Sequence, residues 1–339
     1  MKGLGQPGEI VVSTQDIHDA AGRLAGHAVV TPLLEAPLLN RLAGRRVLVK
    51  AECLQRTGSF KVRGAWSALT ALPEAVRARG VLAYSSGNHA QGVAHAAERL
   101  GVPAVIVMPN DAPQLKVDNT RAYGAEVVLY DRPGGEARER IGQAIAHERG
   151  LTVVRPYDEP MVIAGQGTTG LEIAAQARAV GVEQATVMVC CGGGGLTAGI
   201  ALALEGEAPG LAVRPVEPAT HDDWSRSLAA GSRVANPPDG PASICDAILT
   251  PTPGQLTWPI VAPRTPGAVA VSDALAMRAM AAAFLRLKLV LEPGGAVGLA
   301  AALFAPEAAD AEVVIAVASG GNVDPAMFRR ALDAYGDSV

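Results

Sequence analysis

The fold class expected from this sequence is α/β, built on parallel sheets, and three observations lead there. Short apolar runs recur at 47–51, 81–84, 104–108, 126–130, 151–154, 186–191, 212–216 and 313–318. They are continuous rather than alternating, as strands covered on both faces are. Between them lie segments with helical spacing, such as 88–100, where Ala90, Val93, Ala94, Ala97 and Leu100 fall on one face. Strands that alternate with helices in this way form open parallel sheets with helices packed on both sides.

The 339 residues suffice for two domains, and the 49% hydrophobic content supports large buried cores. The net charge of -4 comes without a long like-charge run, so no footprint for nucleic acid or a membrane surface is expected. The first ten residues hold no apolar signal core, and no later stretch reaches about eighteen uncharged apolar residues. Secretion and membrane spanning are therefore not expected. Cys53, Cys190, Cys191 and Cys245 form neither a disulfide framework nor a zinc spacing, and they read as buried thiols in a reducing cytoplasm. The rhythm breaks twice, at the RPYDEP stretch (155–160), which suggests a crossing between units, and over 222–266, a Pro/Gly-rich segment without a clear period.

Taken in chain order, four strand ends carry chemistry. In ECLQRTGSFKVRGA (52–65), Lys61 follows a strand and the breaker pair Gly58-Ser59, and it precedes an amphipathic run at 62–69, so its amine has a defined direction. In VLAYSSGNHAQG (81–92), Ser85, Ser86, Gly87, Asn88 and His89 set hydroxyls, an amide and free N–H groups at a helix N-terminus, which suits a carboxylate. An ordinary N-cap is the plainer account of any one of them. In VMVCCGGGGLTAG (187–199), a buried strand runs into Gly192, Gly193, Gly194 and Gly195, and then a helix, where unpaired N–H groups and the positive helix end favour a phosphate. In VVIAVASGGNVDP (313–325), Ser319 leaves the strand ahead of Gly320, Gly321 and Asn322. Ligands of open parallel sheets collect at such carboxyl ends, so the four together imply one pocket.

The glycine run admits a rival reading. Gly193-x-Gly195-x-x-Ala198 fits a dinucleotide fingerprint, with Glu217 spaced to grip a ribose, and it points to a nicotinamide-dependent oxidoreductase. A ligand-free tight turn is the structural alternative. Neither uses Lys61. An aldehyde that carries a phosphate needs both an amine and an anion cradle, and pyridoxal phosphate is such a molecule.

GSFKVRGA (58–65), SSGNHAQG (85–92), AGQGTTGLE (164–172), GGGGLTAG (192–199), LEPGGAVG (291–298) and SGGN (319–322) resemble, in order, the motifs of the serine/threonine dehydratase and serine racemase family, pyridoxal-phosphate enzymes of fold type II. The resemblance implies a cleft between a small substrate domain (80–157) and a large cofactor domain (1–79 with 158–339), in the manner of the tryptophan synthase β subunit. It implies Lys61 as the Schiff-base lysine and general base, Phe60 beside the ring, Gly192 to Gly195 with Leu196 around the phosphate, Asn88 at the ring hydroxyl, Glu292 near the cofactor and Ser319 at the pyridine nitrogen. A neutral hydroxyl at Ser319 does not hold that nitrogen protonated, which favours elimination over transamination.

Substrate contacts are implied for Ser85, Ser86, Asn88, His89 and Gln166, and Ser86 matches the opposite-face serine of racemase members. Arg138 matches an arginine near the mouth of the site and suits a second carboxylate, as in 3-hydroxyaspartate. VEPATHDDW (216–224) resembles a divalent-cation site for Mg²⁺, or Ca²⁺ or Mn²⁺, through Glu217, the carbonyl of His221, and Asp223. The implied activity is loss of water from L-serine, L-threonine or 3-hydroxyaspartate to give a 2-oxo acid and ammonia. Racemisation on the same scaffold is the alternative, and a homodimer is the expected assembly. One departure is Cys245-Asp246-Ala247, where the family commonly has Ala-Asp-Gly.

Overall fold

The computed structural model describes residues 11–85, 87–112, 114–131, 134, 136–308 and 311–339. Among them, ten strands form two sheets. The first sheet holds β1 (Leu33–Glu35), β2 (Arg46–Lys50), β7 (Ala185–Cys190), β8 (Leu211–Pro218), β9 (Val269–Val271) and β10 (Val313–Val317), in the order β1-β2-β10-β7-β8-β9. All its pairs are parallel except β1 with β2. The second holds β3 (Val81–Tyr84), β4 (Ala104–Pro109), β5 (Glu126–Tyr130) and β6 (Thr152–Val153), in the order β5-β4-β3-β6, and is parallel throughout.

The continuous apolar runs have the reason expected of them. β4 and β7 are buried at every position. Helices Asp273–Ala282 and Pro293–Phe304 cover one face of the larger sheet, and helices Pro160–Ala179 and Gly195–Glu207 cover the other. Helices Lys61–Ala71 and Asn88–Leu100 pack on one side of the smaller sheet, and Arg138–Arg149 on the opposite side. Few charges are buried in these layers, and the largest group of them is an ion-pair cluster. Arg63 is buried, and its guanidinium reaches Glu52 at 2.8 Å and Glu172 at 2.7 Å, while Lys50 meets Glu172 at 2.5 Å. Such a cluster tolerates burial only because each charge is paired and hydrogen-bonded.

The structure departs from the sequence expectation at three places. The helix expected from the run at 62–69 takes in Lys61 itself and extends over Lys61–Ala71. Strands β1 and β9 were not expected, and each is three residues long, too short for a pattern. The segment 222–266 begins with helix Asp223–Ala230, two turns that bury Asp223, Trp224 and Ser227. All four cysteines are free and buried, and no described helix is long and apolar enough to cross a membrane.

Candidate active site

Chain exits from strands of both sheets line one cavity of about 170 Å³. From β2 the chain passes through two short 3-10 turns, Glu52–Leu54 and Arg56–Gly58, before the Lys61 helix. This passage is tied to the exit of β10: Cys53 N donates to the Ala318 carbonyl at 2.9 Å and Phe60 N to the Ser319 carbonyl at 3.2 Å. Arg63, two residues past Lys61, is locked in the ion-pair cluster described above. Lys61 and Ser319, far apart in sequence, therefore face the same space.

The Lys61 amine donates to the Pro156 carbonyl at 2.8 Å and lies 5.0 Å from the centroid of the Phe60 ring. Burial pushes its pKa down to about 8, against the opposing pull of the Glu292 carboxylate. A substantial share of the amine is then neutral near physiological pH, as a proton acceptor requires. Burial also drives Glu292 up to about 7, opposed by the Asn88 amide, which donates to it at 2.5 Å. Asn88 in turn accepts from Asn322 at 2.7 Å. Its carboxamide orientation is thus fixed from both ends.

At the end of β3, Ser85 accepts from the N–H of Gly87 at 3.2 Å. His89 is buried, with Nε2 2.9 Å from the Val154 carbonyl, and burial pulls its imidazole down to about 3. The ring is therefore neutral, Nε2 is the donor, and Nδ1 faces no partner among the described residues. Ser86 lies outside the described residues.

The glycine turn is shaped from behind. Trp224 Nε1 donates to the Gly192 carbonyl at 2.6 Å, while Thr257 Oγ1 and the N–H of Gly254 donate to the Gly193 carbonyl at 2.6 and 3.2 Å. In a trans peptide the next N–H points opposite to the carbonyl, so the N–H groups of Gly193 and Gly194 turn toward the cavity side. Gly194 has φ 91°, and a Cβ at Gly193 would enter the Tyr157 ring. Helix Gly195–Glu207 begins there and adds its positive end. The turn fits a phosphate.

Phe60, Lys61, Ser85, Asn88, His89, Arg138, Gly192 to Gly195, Leu196, Glu292 and Ser319 all line this cavity. Gln166, expected to touch substrate, is not among the lining residues: it is buried where helix Pro160–Ala179 crosses the Lys61 helix at Gly64. Residues that sequence reasoning did not single out also line the cavity, among them Tyr84, Lys116, Pro156, Tyr157 and Asp246. Tyr84 closes β3 and Tyr157 lies just past β6, so the strand-end rule reaches both. Lys116 carries no local signal. It meets Asp246 across the mouth at 3.0 Å. Arg138 is half exposed, bound to Glu139 at 2.8 Å, with its guanidinium 5.8 Å from the Tyr84 ring centroid.

Glu217 and Asp223 lie apart from the cavity. Glu217 accepts from the N–H groups of Trp224 and Ser225 at 2.9 and 2.8 Å, so it is not free to grip a ribose as the dinucleotide reading required. Burial raises Glu217 to about 7 and Asp223 to about 6. Asp223 Oδ1 accepts from Asn236 at 2.7 Å, and its Oδ2 is buried without a partner. Among the described residues no group of three or more His, Cys, Asp or Glu side chains is arranged for a metal. The side chains here supply two donors, and any third must come from backbone such as the His221 carbonyl.

The comparisons agree with this geometry. The profile of the family described as "pyridoxal-phosphate dependent enzyme" matches residues 10–320. L-threo-3-hydroxyaspartate ammonia-lyase of Pseudomonas sp is 44% identical over 312 residues, covering 92% of this chain and 96% of that protein. Serine racemase of Schizosaccharomyces pombe is 39% identical, covering 93% and 95%. A crystallised threonine deaminase from T.th. superposes with a TM-score of 0.86 at 45% identity, covering 92% of this chain and 99% of that one. With an amine, a phosphate-shaped turn and a ring-sized space joined in one cavity, this chain belongs to the family of pyridoxal-phosphate dependent enzymes.

Proposed function

We propose that the protein is an ammonia-lyase that removes water from a β-hydroxy amino acid, L-serine, L-threonine or 3-hydroxyaspartate, and releases a 2-oxo acid and ammonia. The observation that carries this reading is the meeting, in one cavity, of the Lys61 amine, the glycine turn and the exit of β3 with Ser85, Gly87, Asn88 and His89, with Arg138 at the mouth. Relatives named for hydroxyaspartate ammonia-lyase and threonine deaminase activity support it.

The glycine turn would hold the cofactor phosphate, Asn88 and Ser319 the polar edges of the ring, and Phe60 its side. When bound, pyridoxal phosphate supplies an electron sink at the substrate Cα. Lys61 Nζ, brought to a pKa of about 8 by burial, accepts the α-proton. The N–H groups and hydroxyls after β3 orient the substrate carboxylate, and Arg138 takes the second carboxylate of 3-hydroxyaspartate. Residues 80–157 act as the small domain, and its closure shuts out water. Glu217, Asp223 with its unpartnered Oδ2, and the His221 carbonyl would hold a divalent cation of the Mg²⁺ type and brace the loop behind Trp224. A homodimer in the cytoplasm completes the reading.

A panel of β-hydroxy amino acids in both enantiomers, scored for 2-oxo acid and ammonia, tests it. Release from at least one L-substrate is expected. Interconversion of enantiomers without ammonia would replace the lyase by the racemase alternative, in which Ser86 takes part.

A further inference from the structure

We infer that the protein has a second small-molecule site, for a multivalent oxyanion such as phosphate, in a cavity lined by His27, Arg56, Trp66, His95 and Arg99. This cavity, about 190 Å³, shares no lining residue with the active site. No carboxylate lines it, in a chain whose net charge is -4, so the cationic character is local. Neither the Arg56 nor the Arg99 guanidinium has a hydrogen-bond or ion-pair partner among the described residues. Glu98, outside the lining and half exposed, lies 3.8 Å from His95 Nδ1.

The walls are built rather than loose. The buried Trp66 indole donates to the Arg23 carbonyl at 2.7 Å, and His27 stacks on it at 4.0 Å with 20° between the planes. His95 is held edge-on against Tyr123 at 5.3 Å. An apolar floor strengthens any ion contact made above it. The helix dipole accounts for Arg99, in the last turn of helix Asn88–Leu100, but not for the others. Arg56 belongs to a 3-10 turn and His27 follows the end of helix Thr14–Leu24.

The location gives the site a consequence. Arg56 opens the turn that leads to Lys61, and its neighbour Thr57 is held at φ 63°, a conformation rare outside glycine. His95 and Arg99 sit on the helix whose first residue is Asn88. An anion bridging Arg56 and Arg99 ties together two of the segments that carry active-site groups, so phosphate and substrate affect each other's affinity reciprocally.

The test uses the cofactor-loaded enzyme, whose glycine turn is already filled, and inorganic phosphate against chloride at matched ionic strength. A saturable rise in melting temperature is expected, with affinity about tenfold weaker or more in an Arg56→Gln/Arg99→Gln double variant. Independently of any variant, phosphate should protect Arg56 and Arg99 from an arginine-directed dicarbonyl reagent, as mapped by peptide mass. Absence of a saturable effect in the unaltered enzyme, equal affinity in the double variant, or unprotected arginines would overturn the site.

Discussion

In the proposed reading, Arg138 is the residue on which substrate choice turns. Its guanidinium lines the cavity but rests against Glu139 and the Tyr84 ring, so a ligand carboxylate competes only with an exposed partner. Charge-assisted pairs of this kind are worth about 1.5–3 kcal/mol. Arg138→Ala is therefore expected to raise KM for 3-hydroxyaspartate by about 10- to 100-fold while KM for serine moves by less than about twofold. Steady-state kinetics on both substrates check this, and equal losses would remove Arg138 from recognition.

Glu292 makes a prediction about pH. Its folded-state pKa is raised to about 7. Between the usual carboxylate range near 4.5 and 7, the folded protein keeps a proton that the unfolded chain has released, so stability falls as pH rises across that window. In cofactor-free protein the loss from this group is at most about 3 kcal/mol. Glu292→Gln should flatten the dependence, read as the change in denaturation midpoint between pH 5 and 7.5. The same slope in both proteins would contradict the raised pKa.

At the scale of elements, the glycine turn owes its shape to donors that no local pattern reveals. Thr257 is buried and holds the Gly193 carbonyl at 2.6 Å. Thr257→Val leaves that carbonyl with only the 3.2 Å contact from Gly254. A loss of about 1–1.5 kcal/mol, or about 5- to 10-fold in cofactor affinity, is expected. Cofactor titration of the apoprotein, followed by absorbance, measures it. A lower melting temperature with unchanged affinity would reduce Thr257 to a packing role. The Lys61 helix teaches the same lesson: GSFKVRGA displayed the lysine, but Arg63, Glu52 and Glu172, which anchor it, meet only through the fold.

At the scale of the molecule, the loop behind Trp224 links the cation proposal to the phosphate turn. Glu217 accepts from the Trp224 N–H and the Trp224 indole holds the Gly192 carbonyl. Mg²⁺ added to chelator-stripped protein should raise the melting temperature, and Asp223→Asn should abolish the rise. No shift in the unaltered protein would take the cation out of the account.

Much of this architecture was legible without coordinates. Apolar runs set between helical periods foretold parallel sheets, because strands covered on both faces need no polar side, and the residues at strand ends foretold the ligand end of those sheets. β1 and β9 escaped because three residues carry no period. That Gln166 lies against Gly64 of the Lys61 helix was not legible either, because a motif names residue types and not what packs against them. By itself the sequence determined the class of fold and which residue types carry chemistry, since both rest on local pattern. Only the tertiary structure decided which of them share a cavity, how burial tunes Lys61 and Glu292, and that Tyr157 and Lys116 border the same space, because proximity and desolvation arise between segments that the chain order holds apart.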